Sequence, residues 1–305
     1  MPTLPRVASL IPSGTDILAA MGLGAALVGV SHACDHPVAQ GLPVLTSSPL
    51  AGARMAAAEV DRRVSAAAAA GEPLYRTDTD LLASLEPDVV LSQDVCDVCA
   101  VPAGDAAAAL PDGAHLVLLQ GTTLAGLEAD LAAVGAAVEA GDRAERQVQS
   151  IRSAHASVRR RVRGLERPRV VALEWGDPPW LGGHWVPELV EVAGGTALLS
   201  GAGQPSRRSS WEEIGAADPD AIVFLPCGYR IEQAAADGAA LATRPEVAEL
   251  RALRTGRCWA VDSAPLFSRL TPAVVTAAPV LASLLHPGHF PPVGPRRAVP
   301  IVPAS

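Results

Sequence analysis

Two stretches of this chain carry the same short grammar, and that repetition limits the fold more than any other feature. A helical pattern around Thr79 to Leu85 runs into Glu86-Pro-Asp-Val-Val-Leu-Ser92, and another around Trp211 to Ala217 runs into Asp218-Pro-Asp-Ala-Ile-Val-Phe-Leu225. In each, proline cannot continue the helix and disfavours helical backbone at the residue before it. Aspartate marks the turn, and the β-branched run that follows reads as a strand of a parallel sheet, buried on both faces. Each unit is preceded by a further strand, Arg6-Val-Ala-Ser-Leu-Ile11 in the first half and Arg169-Val-Val-Ala-Leu173 in the second. Two aligned signatures in one order predict an internal duplication, hence two α/β halves.

The remaining punctuation fits that frame. In the first half a turn at Pro12-Ser-Gly14 leads to a helix over about Thr15 to Met21, which stops at Gly22 and Gly24. A short strand Ala26 to Val30 then opens onto the polar loop Ser31 to Pro37. In the second half a loop Glu174 to Pro179 precedes a helix Trp185 to Val192 that ends at Gly194-Gly195, and Cys258 to Val261 reads as a later strand. Between the halves, Leu124 to Arg163 reads as one long helical stretch, weakly broken near Gly141-Asp142. Twenty helical residues span ~30 Å, about a domain's width, so a backbone helix of this kind predicts a stiff molecule. The expected division is an N-terminal lobe 1–123, a connecting helical segment 124–166, a C-terminal lobe 167–290 and a flexible, proline-rich tail 291–305.

Composition excludes several classes of function. Hydrophobic residues are 49% and charged residues 18% of the 305, enough for a sizeable core and too apolar for general disorder. The formal charge is −8 and every basic residue is arginine, so no footprint for nucleic acid exists; the run Arg159 to Arg163 reads as a solvated helix face. No apolar stretch reaches the ~20 residues that span a bilayer, which predicts no membrane insertion. No signal segment is visible before the first strand, so the expected location is cytoplasmic, or periplasmic or extracellular should the true start lie upstream. The five cysteines are then expected to be reduced.

In open parallel sheets ligands bind beyond the carboxyl ends of the strands. Candidate ligand-binding residues are therefore Ser13, His32, Asp35, Gln93 and Asp97 in the first half. In the second they are Glu174, Trp175, His184, Trp185, Tyr229, Phe267 and Arg269. Only 3% of the chain is aromatic, yet Trp175, Trp180, Trp185, Tyr229 and Phe267 all fall in or near these loops. Aromatics gathered at strand ends point to a flat, bulky ligand.

Four segments carry a family resemblance: Ser9-Leu-Ile-Pro-Ser-Gly-Thr-Asp16, Gly29-Val-Ser-His-Ala-Cys-Asp35, Gln93-Asp-Val-Cys-Asp-Val-Cys99 and Gly183-His-Trp-Val-Pro-Glu-Leu189. With Trp259-Ala-Val-Asp262 leading to Phe267-Ser-Arg269, they resemble the cobalamin-binding branch of the class III periplasmic binding proteins over residues ~5 to ~290. The resemblance implies two Rossmann-like lobes on one backbone helix, a corrinoid such as cobalamin held in the cleft between them, and delivery to an ABC importer. It implies reversible capture without covalent turnover.

Alternatives stay open at this point. Cys34, Cys96, Cys99 and Cys227 could hold a metal or an iron–sulfur cluster in a cytosolic metalloprotein or enzyme, although only one Cys-x-x-Cys pair exists. His32 and His184 could ligate cobalt, hydrogen-bond corrin amides, or be satisfied by their own loops. Asp35, Asp97 and Glu174 could form an acid/base set. Ser13 or Thr15 reads as a helix N-cap. Arg207 or Arg208 could reach ligand oxygens. Gly22-Leu-Gly24 is too short for a dinucleotide fingerprint.

Overall fold

The computed structural model describes residues 4–49, 57–70, 72, 74–95 and 101–302. It divides into two compact units: Met1–Gly121 with Ala125–Gln149, and Thr122–Leu124 with Ser150–Ser305.

Among the described residues the N-terminal unit has the strands β1 Val7–Ser9, β2 Leu27–Val30, β3 Thr46–Ser47, β4 Arg76–Thr77, β5 Val89–Gln93 and β6 His115–Leu119. Four of them form a wholly parallel sheet in the order β2-β1-β5-β6, while β3 and β4 make a small antiparallel ribbon. Its core packs Ala8 and Val90 from the sheet, and Leu10 just after β1, with Leu45, Leu82 and Ala106. The first helix is Pro12–Ala20, so it begins at Pro12 and not after a turn at Gly14. Proline suits a first helical position because its missing N–H would have no partner there. Ser13 and Thr15 thus lie inside the helix, and the expected side-chain cap gives way to Ile11, an N-cap without one.

The C-terminal unit carries β7 Arg169–Gly176, β8 Pro179–Leu181, β9 Thr196–Ala197, β10 Arg207–Arg208, β11 Ala221–Phe224, β12 Cys258–Val261 and β13 Ala298–Pro300. Its sheet runs β10-β8-β7-β11-β12-β13, with β9 alongside the start of β7. The centre β7-β11-β12 is parallel, and β8, β10 and β13 are antiparallel additions. β7 is longer than the pattern predicts: it continues through Glu174 and Trp175, which belong to the strand and not to a loop, because β8 folds back and pairs Trp180 with Trp175.

Both units open their first strand in one way. The Arg6 amide donates to Asp88 Oδ2 at 2.7 Å and its Nη2 donates to the Leu85 carbonyl at 2.7 Å. The Arg169 amide donates to Asp220 Oδ2 at 2.7 Å and its Nη2 donates to the Ala217 carbonyl at 2.6 Å. The residues before the two prolines, Glu86 and Asp218, share φ of 42°. Each arginine covers carbonyls that the ending helix leaves without partners.

Two expectations are corrected. The stretch from Leu124 is two helices, Leu124–Ala137 and Gly141–Arg161, separated where Glu139 takes φ 53°. Gly141 is the one local mark of the break, which is complete and not weak, because alanine and charged residues satisfy helical periodicity on both sides of it. The tail after Phe290 is not unpacked: Ala298–Pro300 adds strand β13 to β12, and Ile301, 7% exposed, enters the core beside Phe224, Ala260 and Cys258. The prolines precede the strand or sit at its outer end, where a missing N–H does no harm.

Replacing Asp88 or Asp220 by Ala should cost about 1–2 kcal/mol, since a charged acceptor is lost from a strand-opening amide. Replacing Ile301 by Ala should cost about 2–4 kcal/mol, as expected for a core aliphatic and not for a loose tail. Urea denaturation measures both; an unchanged midpoint for Ile301→Ala would contradict the strand.

Candidate functional site

At the carboxyl end of β2 the chain turns through Ser31 and His32, and β3 lies beside that turn. The His32 amide donates to Thr46 Oγ1 at 3.1 Å, and the ring Nδ1 lies 2.7 Å from the same oxygen. Thr46 Oγ1 is also 3.0 Å from Ser31 Oγ, which accepts from the Ala33 amide. The imidazole rests against Tyr75, ring centres 5.9 Å apart, and burial lowers its pKa, favouring the neutral form. Ser31 and Thr46 are buried, so a hydroxyl proton left over in this network would cost about 1–3 kcal/mol. Nearby, Cys34 Sγ lies 3.2 Å from Thr15 Oγ1. Asp35 is exposed, Gln93 closes β5, and Ser13 sits half-buried in the first helical turn. Asp97, Cys96 and Cys99 lie outside the described residues. A shallow groove in this unit runs along β6 beside Ala133, Ala136 and Ala137 and includes none of the expected residues.

The C-terminal unit brings several aromatics to the end of β7 and to the segments after β8 and β11. Trp175 and Tyr229 meet edge to face, ring centres 5.4 Å apart and planes at 87°. Burial first, and the Asp237 carboxyl second, raise the Tyr229 phenol above its usual value, so it stays a neutral hydroxyl. Trp185 donates its indole N–H to the Phe267 carbonyl at 3.2 Å, and His184 leans on Trp185 with ring centres 5.8 Å apart. The Phe267 side chain is corrected from ligand face to core: it is 2% exposed, and only its carbonyl serves the site. Glu174 accepts from Ser206 Oγ at 3.0 Å, and Ser206 Oγ accepts from the Gly183 amide at 3.1 Å. Arg269 is half-buried beyond the helix Ser263–Leu266.

His184 is held under strain. Its φ is 53°, a region that costs a residue with a Cβ ~1–2 kcal/mol. Its amide donates to the Gln204 carbonyl at 2.6 Å, and its carbonyl accepts from the Gly203 amide at 2.9 Å. Gly183 before it must be glycine, for a Cβ there would stand 2.4 Å from the Gln204 oxygen. His184 Nδ1 is buried without a hydrogen-bond partner, and burial lowers the pKa of the ring.

The arginines of the polar loop are otherwise engaged. Arg207 pairs with Glu213 at 2.6 Å, and Arg208 lies over the Trp180 ring at 5.8 Å. Both belong to β10, an edge strand.

With two parallel-centred α/β units and residues clustered at their strand ends, comparison with known proteins becomes informative. A family profile described as "Periplasmic binding protein" matches residues 7–265. The chain belongs to that family. Among solved structures, a periplasmic heme-binding protein from Pseudomonas aeruginosa superposes with TM-score 0.72 at 19% identity, over 99% of this chain and 100% of the other. The periplasmic heme-binding protein RhuT from Roseiflexus sp. RS-1 gives 0.70 at 22% identity, over 94% and 100%. The periplasmic vitamin B12 binding protein BtuF of Vibrio cholerae gives 0.68 at 20%, over 92% and 96%. A search of the curated proteins finds no match to this chain. The fold is the two-lobed class III periplasmic-binding-protein fold.

Membership corrects the expected cytoplasmic location of this periplasmic binding protein, since proteins of the family work in the periplasm. Location here follows from family membership, which rests on residues 7–265 and not on those before β1. No helix among the described residues is long and apolar enough to cross a membrane. Nor do any three His, Cys, Asp or Glu side chains among the described residues group as a metal site. Cys227 is exposed after β11, and burial pushes the core thiol Cys258 up to about 12.

Sequence reasoning missed Thr46, Tyr75, Ser206 and Asp237, the partners that fix the site residues. None carries a local signal, because each acts from a different segment. Replacing His184 by Gly should raise stability by about 0.5–1 kcal/mol, since glycine takes this backbone shape without a Cβ clash. Thermal unfolding measures it, and a lower midpoint would mean that ring packing on Trp185 outweighs the strain.

Proposed function

We propose that this periplasmic binding protein reversibly captures cobalamin or a related corrinoid and presents it to an ABC importer. The observation that supports this most is the aromatic group of the C-terminal unit, Trp175 against Tyr229 and His184 against Trp185. A corrin is broad, flat and apolar across its face, and aromatic rings cover such a surface with little entropy to lose on binding. Its rim carries neutral carboxamides. Both candidate histidines are biased by burial toward the neutral form, which suits uncharged acceptors better than the carboxylates that fringe a heme. The vitamin B12 binding protein among the fold neighbours agrees with this reading, while the heme-binding neighbours mark the ligand class from which it must be distinguished.

The contact residues proposed are Trp175, His184, Trp185 and Tyr229, with Glu174 and Arg269 at the polar edge. From the N-terminal unit they are Ser13, His32, Asp35 and Gln93, and, outside the described residues, Asp97. Nothing in this set requires a bond to be made or broken. Glu174 accepts from Ser206.

Incubation with aquocobalamin or cyanocobalamin followed by desalting should leave corrin absorbance with the protein. Replacing Trp175 by Ala should weaken retention by about 10-fold or more, as for a buried aromatic anchor. Retention of heme with no retention of either cobalamin would overturn the assignment.

A further inference from the structure

The hydrogen bonds around His32 form a closed set whose protons can be counted. Ser31 Oγ touches the Ala33 amide and Thr46 Oγ1; Thr46 Oγ1 touches Ser31 Oγ, the His32 amide and His32 Nδ1. The two amides are donors, so each hydroxyl oxygen already accepts one proton. Two links remain, Ser31 to Thr46 and Thr46 to the ring, and each needs one proton. The two hydroxyl protons supply both if Ser31 donates to Thr46 and Thr46 donates to Nδ1. The alternative puts a proton on Nδ1 and leaves one hydroxyl proton without an acceptor, at residues 4% and 5% exposed. A buried donor without a partner is the costlier arrangement. The ring therefore accepts at Nδ1 and carries its proton on Nε2.

We propose that His32 is a fixed hydrogen-bond donor, through Nε2–H, for an uncharged acceptor oxygen on the rim of the ligand, and not a ligand for its metal. Nε2 makes no hydrogen bond to the described residues and keeps access to solvent. Tyr75 holds the ring from one side, so the donor points from a set position. A metal would need the Nε2 lone pair, which is absent from this tautomer. A neutral donor brings no charge to offset a desolvated carboxylate, so a carboxamide oxygen is the acceptor it suits, and this makes His32 a specificity residue. The identity of the ligand rests on the corrinoid reading above; the tautomer does not.

The test uses the full chain with 15N-labelled histidine. Long-range 1H–15N correlation reports the tautomer, the His32 signal being identified by its loss in His32→Gln. The expected result is a protonated Nε2 and an acceptor Nδ1. Thr46→Val, which removes the donor to Nδ1, should give exchanging tautomers. Aquocobalamin retention should fall about 10-fold in His32→Ala, the worth of one directed hydrogen bond in a desolvated site. The cobalt-sensitive absorption bands of the bound ligand should match between the wild type and that variant. A protonated Nδ1 overturns the proposal, as do corrin bands that shift only when His32 is present, or retention indifferent to His32. Failure of the wild-type chain to hold cobalamin, with the Nε2–H signal intact, sinks the corrinoid reading while upholding the donor.

Discussion

Each unit of this protein hangs on one arginine and one aspartate at the point where a helix gives way to a strand. The aspartate of the Pro-Asp turn accepts the first amide of the neighbouring strand, and the arginine of that strand returns to the last carbonyls of the helix. Parallel strands far apart in sequence have no hairpin to set their alignment, so something else must fix the register. Here the exchange does so, pairing Val7 with Val89 and Val170 with Ala221. In the C-terminal unit Arg251 adds a second guanidinium on Asp218 and Asp220, which ties the short helix Arg251–Arg254 to the same corner.

Fixing the amino ends of the strands fixes their carboxyl ends, where the candidate residues stand. In the N-terminal unit this brings the turn after β2 beside β3 and lets Thr46 control His32. In the C-terminal unit β7 runs on past its parallel partner and doubles back as β8, carrying Trp175 to the Tyr229 side. The loop Gly183-His184 is pinned to Gly203 and Gln204 by two backbone hydrogen bonds, which keeps His184 in a backbone shape it would not choose. Strain of this sort persists only where the surroundings over-determine it.

The chemistry of the site follows from partial burial. Both imidazoles are pushed toward neutrality, and the Tyr229 phenol keeps its proton. A surface of aromatic faces and neutral donors suits a large ligand whose rim is uncharged. Two cations of the C-terminal unit are already committed, Arg207 to Glu213 and Arg208 to the Trp180 face. Reversible capture asks for this kind of surface, since a ligand that is delivered must also be released.

How much could be read from the chain alone depends on how local each signal is. The Pro-Asp turns, the strand at Cys258 to Val261 and the duplicated order are set by neighbouring residues, so the sequence determined them. The positions of His32 and His184 shortly after strands follow from the same local signals. Tertiary structure decided the rest. Phe267 reads as a loop aromatic but is core, because the helix Ser263–Leu266 turns it inward. The proline-rich tail reads as loose but supplies β13, because β12 offers an open edge for it. The state of His32 depends on Thr46, 14 residues away, and on Tyr75 on another segment. Periodicity reports which face of an element is apolar; it cannot report which distant hydroxyl completes a hydrogen bond, because that is settled only when separate segments pack.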